Sequence, residues 1–275
     1  MATKNRVQSV VNGFPGWPAV GRIKWNVLSG LSFIIGWWAI SLFYPPALLP
    51  GPVNTAQKIV QITLHERLLF HFKMTLFRVL AGFGVAMLIS VTVGIMMGIN
   101  EAAEEYFKIF ILIGLSIPSL AIAMLTLMFF GIGNLAAISA ITITIIPFIT
   151  ENMWEGTKNI DQDLIRMGNA FGANTMKMIR EIVLPQLIPY IMSASRYGLS
   201  LAWKIAVIAE MLGLGTGVGY QINEAFMQFS MVGVLAWTLA FAMLMIFIEF
   251  GILTPIEYYL TSWQSDIEGG DVLKG

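Results

Sequence analysis

Two charged side chains, Lys204 and Glu210, interrupt "LAWKIAVIAEML", a stretch from Leu201 to Leu212 that otherwise carries no charge. A charge held at mid-bilayer costs about 2.5 to 3.5 kcal/mol on insertion scales, so a cation and a carboxylate retained there must face protein or a water-filled path. Six residues on a helix turn through about 600°, or about 120° net. The two therefore cannot stack as a same-face pair, and each needs a partner elsewhere. For Lys204 two readings stand: contact with an anion, or an ion pair with a carboxylate such as Glu249. Glu210 reads as a structural or gating group within a membrane span. Other chemistries find less support. His65 and His71 have no companion carboxylate or third ligand, which speaks against a metal site. No nucleophile-elbow signature accompanies the Ser, His and Asp residues, which speaks against catalysis. With no cysteine there are no disulfides, thiolate ligands or redox pairs, and the 17 methionines read as packing filler in apolar helices rather than a ligand set.

The elements that must position these groups follow from composition. The chain has 275 residues, 57% hydrophobic and 12% charged, with zero formal net charge and a mean hydropathy of +0.75. Soluble domains carry about 25% charged residues, so this chain lacks the surface for water, and with no net charge it offers no basic field for nucleic acid. About 20 apolar helical residues cross a bilayer. Trp25–Tyr44 and Val79–Asn100 each supply a span. Ile109–Thr150 is too long for one and breaks at Gly131–Asn134, "GIGN", into a hairpin of two. Pro189–Leu212, holding Arg196, Lys204 and Glu210, is a polar fifth span, and Ala225–Ile248, running on to about Tyr258, is the sixth. The fold class is an all-α membrane protein of six transmembrane helices. Lys and Arg are enriched on cytoplasmic flanks. A cytoplasmic N-terminus puts Lys4, Arg6, Arg22, Lys24, Lys108, Lys158, Arg166, Lys177, Arg180 and Lys274 inside, against Lys58, Arg67 and Lys73 outside, so both termini are expected in the cytosol. Residues 1–24 form a cytoplasmic N-terminal segment without the features of a cleaved signal, residues 25–258 the six-helix domain, and residues 259–275 a cytoplasmic tail. The outer segment after Tyr44 opens on proline turns and continues into a surface helix carrying Val60, Ile62 and Leu64. Pro118, flanked by Ser116 and Ser119, bends the third span and places two hydroxyls where a path could run. Proline kinks that serve packing alone are as common.

One cytoplasmic loop, residues 154–188, has more structure than a connector needs. Asp161 can cap a helix over "QDLIRMGNAF", Gly172 suits the left-handed position that ends it, and Asn174 or Thr175 can cap a second helix before Pro185. Leu164, Met167 and Phe171 on the first helix, and Met176, Ile179 and Val183 on the second, stay apolar in a segment facing cytosol, as a plug would.

Gly172, Ile182 and Leu184-Pro185 resemble the Gly, Ile, Leu-Pro pattern of the cytoplasmic "EAA" loop in permease subunits of bacterial ABC importers. "LPQLIPYIMSASRYGLSLAWKIAVIAEML", in which Leu184-Pro185 leads to Arg196, then Ala202-Trp203, then Ala209-Glu210, resembles the nitrate/sulfonate/taurine/bicarbonate group, as do "LLPGP", "TLFRVLAGF", "FFGIG" and the closing "LTSW". The resemblance covers nearly the whole chain after about residue 30. Where the loop pattern has Glu-Ala-Ala, this sequence has Arg166-Met167-Gly168, which reverses the sign of any ion pair made there. The resemblance implies a type I importer permease in the bacterial inner membrane, not itself an enzyme, paired with a second copy of itself. The loop residues Arg166, Met167, Gly168, Asn169, Ala170, Phe171, Gly172, Ala173, Ile182, Leu184 and Pro185 would couple to two cytoplasmic ATPase subunits, and a periplasmic binding protein or lipoprotein would deliver a small anionic solute. The chain contains no G-x-x-x-x-G-K-[ST], so ATP and Mg belong to those partner subunits. Ser116, Pro118, Ser119, Arg196, Trp203, Lys204 and Glu210 are the candidates for the solute path. The rival reading is an ATP-independent carrier or channel that uses Lys204 and Glu210 for ion coupling.

Overall fold

The computed structural model describes residues 20–253 and 255, and every element in it is helical. Lys4, Arg6, Lys274, the "LTSW" stretch, most of segment 1–24 and the tail 259–275 lie outside the described residues. The helices are α1 (Val20–Ser41), α2 (Pro52–His65), α3 (Leu68–Ile99), α4 (Glu101–Ser116), α5 (Ser119–Phe130), α6 (Asn134–Lys158), α7 (Gln162–Ala170), α8 (Thr175–Met178), α9 (Leu184–Met211), α10 (Val218–Met227) and α11 (Met231–Ile248), with wider π turns at Ile179–Val183 and Glu249–Leu253. Three are long and apolar enough to cross a membrane: α3, α6 and α11 with its π extension. The bent pair α4 and α5 makes a fourth if it counts as one span.

Several boundaries differ from those expected. The second span starts at Leu68 rather than Val79, because the polar residues His71, Thr75 and Arg78 are buried and satisfied by partners and so do not end the helix. The first arm of the hairpin is not one kinked helix. Ile117 and Pro118 are both extended, as the residue before a proline prefers, and the chain turns a 99° corner there. The break at "GIGN" is present, with Gly131 at φ 74°. The last span begins at Met231, not Ala225. A corner at Gln228–Ser230 separates α10 from α11, with Phe229 at φ 52° and the Ser230 hydroxyl accepting from the Gly233 N–H at 3.3 Å. In α2, Ile62 is buried against the bundle while Val60 and Leu64 are exposed.

The core lies where α3, α6 and α9 meet. Along α3, residues 82, 86, 90, 94 and 98 are Gly, Ala, Ser, Gly and Gly, a small residue every fourth position, which makes one smooth face for a close helix contact. A Cβ on Gly82 would lie 2.8 Å from Ile141, one on Gly94 2.5 Å from Met153, and one on Gly98 would overlap Thr157. The constant register of these contacts shows that α3 and α6 run parallel. Two side-chain bonds fix it: the Ser90 hydroxyl donates to the Ile146 carbonyl at 3.1 Å, and the Thr142 hydroxyl to the Gly82 carbonyl at 3.1 Å. Helix α9 runs the other way. Its Tyr190 lies against Gly156 and its Gly198 against Ile149. Outside this core the helices present apolar side chains outward, among them Leu88, Met128, Phe129 and Phe247, as a lipid-facing surface requires.

The glycine face carries an expectation. Gly94→Val should lower the thermal midpoint in detergent by an amount corresponding to about 1 to 3 kcal/mol of overpacking. Gly84→Val, at a position open on all sides, should leave the midpoint within error of the parent. Equal midpoints for the two variants would show that the α3–α6 contact does not set stability.

Candidate functional sites at the two ends of helix α9

At the far end of α9, Glu210 is fully buried, and so is Arg78 of α3. The guanidinium Nη1 donates to Glu210 Oε1 at 2.6 Å and to the Thr216 carbonyl at 2.7 Å. Nη2 donates to Thr216 Oγ1 at 2.7 Å and Nε to Asn134 Oδ1 at 2.9 Å. The second carboxylate oxygen accepts from the Thr75 hydroxyl and the Gly219 N–H, each at 2.9 Å. Thr75 in turn accepts from the Val218 N–H at 3.0 Å. The loop from α9 to α10 can wrap the carboxylate this tightly because Gly213, Gly215 and Gly217 all take positive φ, which other residues do at a cost. A Cβ on Gly217 would overlap the Glu210 carboxylate. His71 belongs to the same region: its Nδ1 accepts from the Gly217 N–H at 3.2 Å, the Gln221 amide lies 3.0 Å from its Nε2, and its ring packs on Tyr220 and Trp237. His71 lacks the companion ligands a metal site needs, and neither Arg78 nor the "GLGTG" loop is among the candidates drawn from the sequence. A signal for them exists, since a buried arginine in a span requires a carboxylate partner.

Lys204 does not join Glu210. It sits on the exposed face of α9, and among the described residues no carboxylate pairs with it. Glu249, its candidate partner by sequence, lies instead 3.4 Å from Nε of Arg196. An ion-coupling site shared by Lys204 and Glu210 therefore has no geometric basis. Trp203 is buried, stacked on Phe72 and edge-on to Phe241. At the corner before α5, Pro118 and Ser116 are exposed and Ser119 is half-buried, with the Ser116 hydroxyl turned back onto the Leu112 carbonyl. Among the described residues no group of three or more His, Cys, Asp or Glu could hold a metal ion.

At the near end, Asp161 caps α7 by accepting from the Asp163 and Leu164 N–H groups, and its own N–H is held by Gln186 Oε1 of α9 at 2.9 Å. Gly172 takes φ 71°. The Gly172 N–H donates to the Asn169 carbonyl and the Ala173 N–H to the Gly168 carbonyl, both at 3.0 Å, the paired bonds that close a helix on a left-handed glycine. Asn174 then caps α8 through the Lys177 N–H at 2.8 Å. Gly168 is buried where a Cβ would lie 2.9 Å from Met178 and Ile182, so the Gly at this position lets α7 close on the next helix. Arg166 is exposed and lies 3.2 Å from Asp163 on its own helix. Phe171 and Met176 project outward, 84% and 72% exposed, beside a shallow cavity of about 320 Å³ lined by Gly168, Phe171, Asn174, Lys177, Met178 and Ile182. Pro185 does not end the second helix as expected. The Leu184 N–H bonds five residues back to the Ile179 carbonyl, and this wider turn makes room for the proline ring and carries the helix on into α9.

The far-end cluster yields a stability test. Glu210→Ala leaves a buried guanidinium uncompensated and should cost about 3 to 5 kcal/mol, whereas the double change Arg78→Met with Glu210→Met should recover most of that loss. Detergent melting curves decide it: a single variant as stable as the parent would show that the pair holds nothing together.

Comparison with known proteins ties these features to a family. The taurine transport system permease protein TauC of Escherichia coli is 25% identical over 259 residues, covering 92% of this chain and 94% of its own. The putative aliphatic sulfonates transport permease protein SsuC of Bacillus subtilis is 26% identical, with 92% and 87% covered. The bicarbonate transport system permease protein CmpB of Synechococcus elongatus is 28% identical, with 76% and 82% covered. Among solved structures, an inward-facing form of the MetNI methionine ABC transporter superposes at TM-score 0.61 and 21% identity over 68% of this chain and 93% of that one, which shows a shared fold. Residues 90–262 match the profile of the binding-protein-dependent transport system inner membrane component, and the chain belongs to that family, as a multi-pass inner-membrane permease subunit of a bacterial ABC importer.

Proposed function

We propose that two copies of this chain form the path of an importer for a small anionic solute of the nitrate, sulfonate or bicarbonate kind, with the capped loop as its contact to a separate ATPase. In this reading six spans cross the membrane, namely α1, α3, the bent α4–α5 pair, α6, α9 and α11, with both termini and the 154–188 loop in the cytosol and the Arg78–Glu210 cluster toward the outside. Relatives that carry taurine, aliphatic sulfonate and bicarbonate in their names support an anion. A binding protein outside would deliver it, and ATP with Mg would be handled on the cytoplasmic partners.

The observation that carries the coupling reading is the pairing of rigid backbone with exposed apolar side chains at residues 161–183. Caps at Asp161 and Asn174 and the left-handed Gly172 fix the turn, yet Phe171 and Met176 stay largely uncovered by their own chain. A large apolar side chain held out in water at a fixed angle lowers the ordering cost of binding a groove. Arg166, where the pattern of the loop has Glu, would meet an acidic group on the partner.

Phe171→Asp tests this directly, because Phe171 contributes little packing within the chain. Expressed with the genes beside it and purified in mild detergent, the parent should bring an ATPase subunit with it. The variant should bind that subunit roughly 30-fold more weakly, as losing an anchor worth about 2 kcal/mol implies, with unchanged membrane insertion. Full ATPase recovery with Phe171→Asp would sink the coupling reading.

A further inference from the structure

Helix α9 carries a polar stripe of which only Lys204 is a solute-path candidate from the sequence. Ser193, Tyr197, Ser200 and Lys204 are all exposed, and their spacing of four, three and four residues places them within about 60° of one another around the helix and along roughly 16 Å of its length. That is about half the hydrocarbon thickness of a bilayer, in a helix otherwise buried on the α3–α6 core through Ala194, Gly198, Ala202 and Ala206. Two of its hydroxyls stand open, unlike several on the outward faces of other helices. Ser32, Thr92 and Ser116 turn theirs back onto carbonyls of their own helices, whereas Ser193 and Ser200 make no hydrogen bond among the described residues. Lys204 closes the row with no ion-pair partner among those residues: Glu210 is taken by Arg78 and Glu249 by Arg196.

A lysine, two open hydroxyls and a phenol on one face cannot lie against acyl chains at low cost. Resting on the importer reading above, we infer that this stripe lines the water-filled solute path and that Lys204 is its anion-selecting residue, one from each copy of the chain. The ligand it fits is a small oxyanion: a single ammonium supplies the charge, and the serine hydroxyls along the same face supply neutral donors. Glu210, about 120° around the helix, is kept out of the path by its own partners, so the cation acts without a carboxylate beside it. The chain's lack of cysteine allows a direct test.

Ser200→Cys, with Leu88→Cys as a lipid-facing control, would be placed in the assembled transporter in proteoliposomes held at zero membrane potential. Each would be treated from both sides with anionic ethylsulfonate and cationic trimethylammonium methanethiosulfonates. The expected result is that the thiol at position 200 reacts at least about ten-fold faster than the one at position 88, and that it favours the anionic reagent. Adding Lys204→Gln should lower the anionic-to-cationic rate ratio by about ten-fold, the low end of the enrichment a charged cleft sustains, while Lys204→Arg should preserve it. A thiol at position 200 as slow as the control, or a ratio indifferent to Lys204→Gln, would overturn the inference. Recovery of the ATPase subunit in the same preparation separates the two failures: the subunit present with an unreactive thiol at position 200 rejects the stripe alone, and its absence rejects the importer reading.

Discussion

A guanidinium and a carboxylate can stay buried in an apolar bundle only if every one of their polar atoms is met, and the far end of this molecule is built around that requirement. Arg78 and Glu210 are joined at 2.6 Å, but the pair alone leaves the remaining guanidinium protons and one carboxylate oxygen unpaired, and each would carry a desolvation penalty. Asn134, Thr75, Thr216 and the N–H of Gly219 fill those places. The consequence is topological. These groups come from α3, the start of α6, the end of α9 and the loop into α10, so the pair can be satisfied only when all of these elements are in register. The glycine face of α3 sets the lateral distance to α6 along the rest of their length, and the ion pair sets the position of α9 along the axis.

The loop from α9 to α10 shows how closely backbone chemistry follows from that demand. An N–H pointed at a buried carboxylate must come from a segment that reverses direction within a few residues, and positive φ at Gly213, Gly215 and Gly217 makes the reversal possible. Gly217 also leaves the space that the carboxylate fills. His71, whose Nδ1 accepts from the Gly217 N–H and whose Nε2 faces the Gln221 amide, closes the cluster on the side of α11 through Trp237.

Much of this is legible in the residues. The cap at Asp161, the left-handed Gly172 and the cap at Asn174 are readable because capping is local: donor and acceptor lie within three residues, and the side-chain type announces the role. The break at Gly131 and the bend at Pro118 are readable for the same reason, although a sequence gives the place of a proline corner and not its angle. What escapes are non-local pairings. Nothing in "TLFRVLAGF" says that Arg78 must find a residue 132 positions later, and a charge inside an apolar run looks like the edge of a span, which is why hydropathy alone starts α3 at Val79. The continuation of α8 into α9 escapes because Pro185 ordinarily ends or kinks a helix, and only the wider turn at Ile179–Val183 removes the clash. The small residues at every fourth position of α3 are in plain view, but their meaning depends on α6 lying parallel to them.

That continuous helix links the two ends of the molecule. From Thr175 to Met211 the backbone stays helical for roughly 55 Å, although Pro185 and Pro189 donate no N–H to the ladder, from the exposed apolar loop through the polar stripe to the carboxylate of Glu210. A rigid body transmits displacement at one end to the other with little loss, and α9 has discrete anchors at both: Gln186 on the Asp161 N–H and Glu210 on Arg78. Between them its buried face alternates small residues, Ala194, Gly198, Ala202 and Ala206, which let α3 and α6 come close, with Leu199, Trp203 and Ile205, which interlock with their neighbours. Pro189 interrupts the ladder within α9, and the wider turn at residues 179–183 departs from it as well. That turn lies between the capped loop and the rest of the helix. On the coupling reading proposed above, a displacement imposed on α7 and α8 would be divided there, part absorbed as local bending and part delivered to α9 and its Lys204 and Glu210.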